Sequence, residues 1–201
     1  VFDAMMLEFA ARDGKARWCE KTPSHIFHLD LLSKAFPSAK FVHMVRDGRD
    51  CAASCLRRWG THPVGTSARW REAMQAGRKA TETLPERYLE VVYEKVIVSP
   101  EEELRRICRF LDVAYNNAVL KAKRDRPKMT GHSSAEIKPN KNNRSLLEER
   151  GYAEKIERIA GKELSARGYE CKYPDSDVRV SRFDRFVWHW NDATAFMVQM
   201  I

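Results

Sequence analysis

The sequence predicts an α/β domain built on a parallel sheet, and three observations carry that prediction. Two short apolar runs, Lys40-Phe41-Val42-His43-Met44-Val45 and Tyr88-Leu89-Glu90-Val91-Val92, have strand length and read as strands covered on both faces. Each is followed by a segment with helical start signals, and strand–helix alternation of that kind builds a parallel sheet with crossover helices in three layers. No apolar run approaches the roughly 18 residues that a membrane-spanning helix needs.

A first helix is predicted from about Phe2 to Asp13, with Gly14 as its stop. Trp18-Cys19-Glu20 is a short strand candidate leading into the loop Lys21-Thr22-Pro23. Ser24 then caps a helix with Ile26, Leu29, Leu32 and Ala35 at helical spacing, and Pro37 ends it. After the first strand a helix runs from about Gly48 to Trp59, and another covers residues 68–83. After the second strand, Ser99-Pro100-Glu101-Glu102 marks a helix start, with proline in the first turn and acids at the positive end of the dipole. Leu104, Ile107, Cys108 and Leu111 form its apolar stripe. Residues 126–144 are polar and read as a long loop, a length usually functional or disordered in compact domains. Residues 153–167 return to helix. In the tail, Phe183, Phe186, Val187, Trp190 and Met197 mark an amphipathic helix expected to dock on the domain. The expected organisation is one domain over residues 1–170 and a C-terminal extension over 171–201.

The 201 residues carry a formal charge of +8. A basic surface attracts polyanions of several kinds, and the densest basic stretches, 121–128 and 138–144, contain no interleaved aromatic residue for stacking single strands. Five cysteines, an odd number with no CxxC pair, point to a reduced compartment. Cys51 and Cys55 lie one helical turn apart and are read as core filling. With no signal peptide in the opening residues, a cytoplasmic location is the expectation. The start at Val1 rather than Met is read as a segment missing upstream.

In open α/β sheets, ligands bind beyond the carboxyl ends of the strands. Arg46 stands at such an end and Gly48 opens the next helix, whose unpaired amides favour an anion. Ala52, Cys55, Leu56 and Trp59 are the stripe expected to face the core, which leaves Ser54 and Arg58 together on the opposite side. Two guanidinium groups and a hydroxyl then point towards one phosphate. The plainer reading pairs Arg46 with Asp47 or Asp50 and leaves Ser54 solvated.

The stretch FPSAKFVHMVRDGRDCAASCLRR (residues 36–58) resembles the 3'-phosphate-binding segment of PAPS-dependent sulfotransferases, nearest their protein-tyrosine and bacterial branches. YLEVVYEKVIVSPEEELRRICRFLDV (residues 88–113) is similar to the same family's strand, adenine-contacting tyrosine and following helix. The resemblance implies the three-layer, P-loop-like sulfotransferase fold, with Arg46 and Ser54 on the 3'-phosphate, Arg58 also on the nucleotide, and Tyr93 on adenine. It implies in-line transfer of a sulfuryl group from PAPS to an acceptor hydroxyl or amine, without a metal.

Glu20-Lys21-Thr22-Pro23 resembles the family's catalytic lysine loop, where Lys21 would neutralise charge developing on the bridging oxygen. Gly131-His132-Ser133-Ser134 through Lys138-Pro139 is similar to a late loop whose serine and lysine contact the donor. Ser133 is the first choice there, Ser134 the second, and Lys138 the lysine. His25, four residues after Lys21, is the candidate general base, against the plainer role of packing in a helix. The family's Gly/Ser/Thr-rich phosphosulfate loop finds no match. Gly65-Thr66-Ser67 has suitable residue types but lies after the Arg46 turn without a preceding strand. The fold is therefore expected to be N-terminally incomplete, lacking the first strand and that loop. The acceptor is open between a small molecule, a glycan and a protein tyrosine, with no nucleic acid expected as partner. From a different class, the alternative is a non-catalytic basic module binding anionic polymer or nucleic acid.

Overall fold

The computed structural model describes residues 1–121, 144–176, 178 and 180–181. In chain order the elements are α1 (Phe2–Arg12), a 3-10 turn (Pro23–His28), α2 (Leu29–Ala35), β1 (Phe41–Val45), α3 (Gly48–Trp59) and α4 (Pro63–Thr83). There follow β2 (Tyr88–Val92), α5 (Tyr93–Val98), α6 (Pro100–Phe110), α7 (Ala118–Lys121), α8 (Ser145–Glu149) and α9 (Ala153–Ser165). The predicted tail helix from Arg182 onward lies outside the described residues.

β1 and β2 pair in parallel, Phe41 opposite Tyr88 and Val45 opposite Val92. Successive side chains alternate between faces, so Phe41, His43 and Val45 share one face with Tyr88, Glu90 and Val92. That face meets α4 and α9. Val45 packs with Trp70, Met74, Ala160 and Leu164, and Tyr88 packs with Leu29 and Ala80. A further cluster joins α3, α4, α8 and α9 through Ala52, Ala53, Val64, Ala68, Leu147, Ile156 and Ile159. The opposite face departs from the prediction. Val42 and Met44 are 38% and 49% exposed, so β1 is covered on one face only among the described residues.

Other departures have local causes. Trp18 forms no strand; its ring packs edge-on against Phe2 and Phe36, and its indole N–H donates to Asp3 Oδ1 at 2.8 Å. Ser24 does not cap a helix, because it lies inside the 3-10 turn, and His28, at φ −125°, separates that turn from α2. α4 starts five residues before the predicted position, with Pro63 in its first turn and a buried row of Val64, Ser67, Ala68 and Arg71. Gly65, Thr66 and Ser67 therefore belong to a helix, not to a phosphate loop.

Candidate functional site

The site starts from the register of the two strands. Because Val45 faces Val92, the next residues of each strand, Arg46 and Tyr93, emerge side by side at the carboxyl edge. The Arg46 guanidinium carbon stands 5.1 Å from the centroid of the Tyr93 ring, within cation–π range. Trp70 fixes the turn from below, its indole N–H donating to the Arg46 carbonyl at 3.0 Å.

The start of α3 is not the bare anion site that the sequence suggests. Asp47 is its N-cap and accepts from the Arg49 amide at 2.9 Å, while the Asp47 amide donates to Glu94 Oε1 at 3.1 Å. Carboxylates thus already occupy the amides of Asp47 and Arg49 at this helix start, and the charge that can meet an anion comes from the side chain of Arg46. Tyr169 holds Glu94 in turn, donating its hydroxyl to Oε2 at 2.8 Å. Burial pushes the Tyr169 hydroxyl up, and the neighbouring Glu94 carboxylate pushes it the same way, so it stays protonated as a donor.

Behind the turn lies a buried charge network. Arg49 joins Asp47 at 2.8 Å and Glu157 at 2.7 Å, tying α3 to α9. Arg144 donates from Nη2 to Asp47 Oδ2 at 2.8 Å and from Nε to Asp50 Oδ1 at 2.9 Å. Burial alone would raise the Asp47 carboxyl, but hydrogen bonds and charge from Arg49, with the charge of Arg144, hold it below the usual carboxylate range. Burial pushes the Cys51 thiol up to about 12, so it is inert core filling beside Trp70.

Arg46 approaches Asp50 from the other side, Nη2 to Oδ2 3.8 Å, which turns it over the face of α3 that begins with Asp50. Ser54 and Arg58 follow Asp50 at four-residue steps on that face. The Arg58 guanidinium sits 4.9 Å from the Trp59 ring centroid. Trp59 itself is 46% exposed and leaves the predicted core stripe, since Gly60 ends the helix in the left-handed region at φ 67°. Ala53 takes the buried place instead.

Lys21 and His25 belong to a different segment, the loop and 3-10 turn after α1. Lys21 is exposed. His25 packs in no helix core; its Nδ1 stands 2.8 Å from Glu20 Oε2, and Thr22 donates its hydroxyl to Glu20 Oε1. The structure thus joins Arg46 to Tyr93 and aligns Ser54 with Arg58, while Glu20 holds His25 and Thr22 in the separate segment that carries Lys21. Ser133, Ser134 and Lys138 lie outside the described residues.

Several participants were missed from sequence, among them Glu20, Glu94, Arg144 and Tyr169. Glu20 and Glu94 are each adjacent to a residue that was singled out, which was a usable signal. Arg144 and Tyr169 sit 97 and 75 residues from their partners, and nothing local marks them.

The model of a family described as "Sulfotransferase family" matches residues 1–117. A protein-tyrosine sulfotransferase of Drosophila melanogaster is 36% identical over 124 residues, covering 57% of this chain and 25% of its own. Protein-tyrosine sulfotransferase 1 of Danio rerio is 33% identical over 129 residues, covering 60% of this chain and 36% of its own. The chain therefore spans about a quarter to a third of the length of these two relatives. Among solved structures, a sulfotransferase domain from the curacin biosynthetic pathway superposes with a TM-score of 0.52 at 20% identity, over 75% of this chain and 62% of that one. The last likeness is one of fold.

Proposed function

This chain belongs to the sulfotransferase family, and from that premise we propose that it binds PAPS and directs sulfuryl transfer to an acceptor hydroxyl. The observation that supports the reading most is the Arg46–Tyr93 pair at the carboxyl edge of the parallel strands. It offers a full positive charge and an aromatic face within one side chain's reach, which suits a phosphorylated nucleotide. The donor set fits. Arg46 and Ser54 take the 3'-phosphate, Arg58 adds charge on the same face of α3, and Tyr93 meets the adenine.

PAPS, when bound, supplies an activated sulfuryl group. The chain's own residues do the rest. Lys21 presents an ammonium where negative charge develops on the leaving oxygen. Glu20 holds His25 by Nδ1, which leaves Nε2 as the nitrogen to accept the acceptor's proton. Ser133 and Lys138 complete the donor contacts. The acceptor class we favour is a protein tyrosine, because the relatives that match this chain bear that name.

Calorimetric titration with 3',5'-ADP and 5'-AMP tests the reading. Binding should favour the doubly phosphorylated nucleotide by at least about tenfold, the value of one charge-assisted contact of about 1.4 kcal/mol. Equal affinity for both would overturn it.

A further inference from the structure

We propose that Arg144 is a positioning residue of the nucleotide site, the counter-charge that stops Asp50 from opposing a phosphate at Arg46. The proposal rests on the donor-site reading above. Asp50 is 3% exposed and its Oδ2 lies 3.8 Å from Arg46 Nη2, so its charge acts with little screening on whatever Arg46 holds. Uncompensated, that carboxylate would repel the phosphate and draw the guanidinium towards itself.

The distances show which arginine Asp50 answers to. Arg144 Nε donates to Oδ1 at 2.9 Å, a hydrogen-bonded ion pair, whereas Arg46 stands almost an ångström farther off from Oδ2. Arg144 also reaches Asp47 with Nη2 at 2.8 Å, and so bridges both acids at the start of α3. Arg49 cannot take this role, being directed to Asp47, Glu157 and the Glu170 carbonyl. One planar fork therefore neutralises Asp50 and fixes its carboxylate, and Arg46 keeps its place over Tyr93.

Charge arithmetic sets the test on the 201-residue chain. R144Q makes the turn one charge more negative, D50N makes it one more positive, and the double variant restores the balance. R144Q should weaken 3',5'-ADP binding about tenfold and 5'-AMP binding less than about twofold, because the missing 3'-phosphate is the group that feels Asp50. D50N should tighten 3',5'-ADP binding about threefold, and D50N/R144Q should return it to within about threefold of the parent. A purely structural Arg144 predicts a double variant no better than R144Q. That result, or R144Q that folds and binds normally, overturns the proposal. If R144Q does not fold, D50N decides: binding no tighter than the parent's overturns it. A parent with equal affinity for the two nucleotides removes the donor site itself, and the proposal with it.

Discussion

The Arg46 guanidinium lies over the Tyr93 ring because both residues are the first beyond a paired strand end, Val45 opposite Val92. The two halves of the proposed nucleotide site are thus fixed by one hydrogen-bonded register rather than by flexible loops. Substituting either residue should reveal separate functions. R46A should lower 3',5'-ADP affinity by about tenfold to a hundredfold while leaving 5'-AMP nearly unaffected. Y93A should weaken both nucleotides alike, by about tenfold, since each contains adenine. Y93F retains the ring and should behave as the parent within about threefold. Calorimetry on the three variants checks all of this, and R46A with an unchanged nucleotide preference would remove the 3'-phosphate assignment.

Gly48 transmits packing to the same turn. A Cβ placed there would meet Trp70 Cδ2 at 2.7 Å and Cε3 at 2.8 Å, closer than a ring held in a core can yield. Trp70 is also the donor to the Arg46 carbonyl. G48A should therefore destabilise the fold by about 1–3 kcal/mol despite the better helix propensity of alanine, and weaken 3',5'-ADP binding as well. A urea midpoint equal to the parent's would show that Trp70 moves aside freely.

Much of this was legible in sequence where signals are local. β1, β2, α3 and α6 fall within a residue of expectation, since apolar runs and helix starts such as Gly48 and Ser99-Pro100 act over a few residues. The charge network at α3 was not legible. Glu94 and Arg144 reach Asp47 across 47 and 97 positions, so Asp-Gly read as an open helix start when it is a capped and clamped one. The single-sided cover of β1 and the exposure of Trp59 likewise depend on what packs nearby, which local pattern does not encode. Trp18 misled for a related reason, its apolar surface being satisfied by Phe2 and Phe36 rather than by a strand ladder.

His43 gives the fold a pH dependence of definite sign. Burial lowers its pKa from 6.5 to about 4; Glu90 opposes the shift and Arg167 reinforces it. Burial also raises the Tyr88 hydroxyl, with Glu90 adding to the effect, so Tyr88 keeps its proton, and its hydroxyl shares a hydrogen bond with His43 Nδ1 at 2.6 Å. The folded protein therefore holds a neutral imidazole that the unfolded chain protonates below about pH 6.5. Stability from this group is complete above that pH and declines as pH falls towards about 4, reaching a loss of about 2 kcal/mol at about pH 5. Urea unfolding of the parent and H43L at about pH 7.5 and about pH 5 measures the difference. The pH-dependent part assigned to His43 should vanish in H43L, and an equal loss in both proteins would place the titration elsewhere.

Arg167 joins two carboxylates at the edge of the core. It donates to Glu163 Oε2 at 2.8 Å and to Glu90 Oε2 at 3.0 Å, and a further contact reaches the Met74 carbonyl at 3.2 Å. Glu163 is 1% exposed. Removing one member of a buried ion pair leaves the other charge without water or partner, at a cost of about 3–5 kcal/mol. Arg78 also approaches Glu163, at 3.0 Å, so R167M should fall near the lower end, about 3 kcal/mol. R167K supplies charge but not the fork to two carboxylates, and should recover only part of the loss. E163Q in the R167M background should be more stable than R167M alone, because the amide removes the stranded charge. Denaturant midpoints with an unchanged m-value test the series, and R167M within about 1 kcal/mol of the parent would mean that Arg78 alone suffices for Glu163.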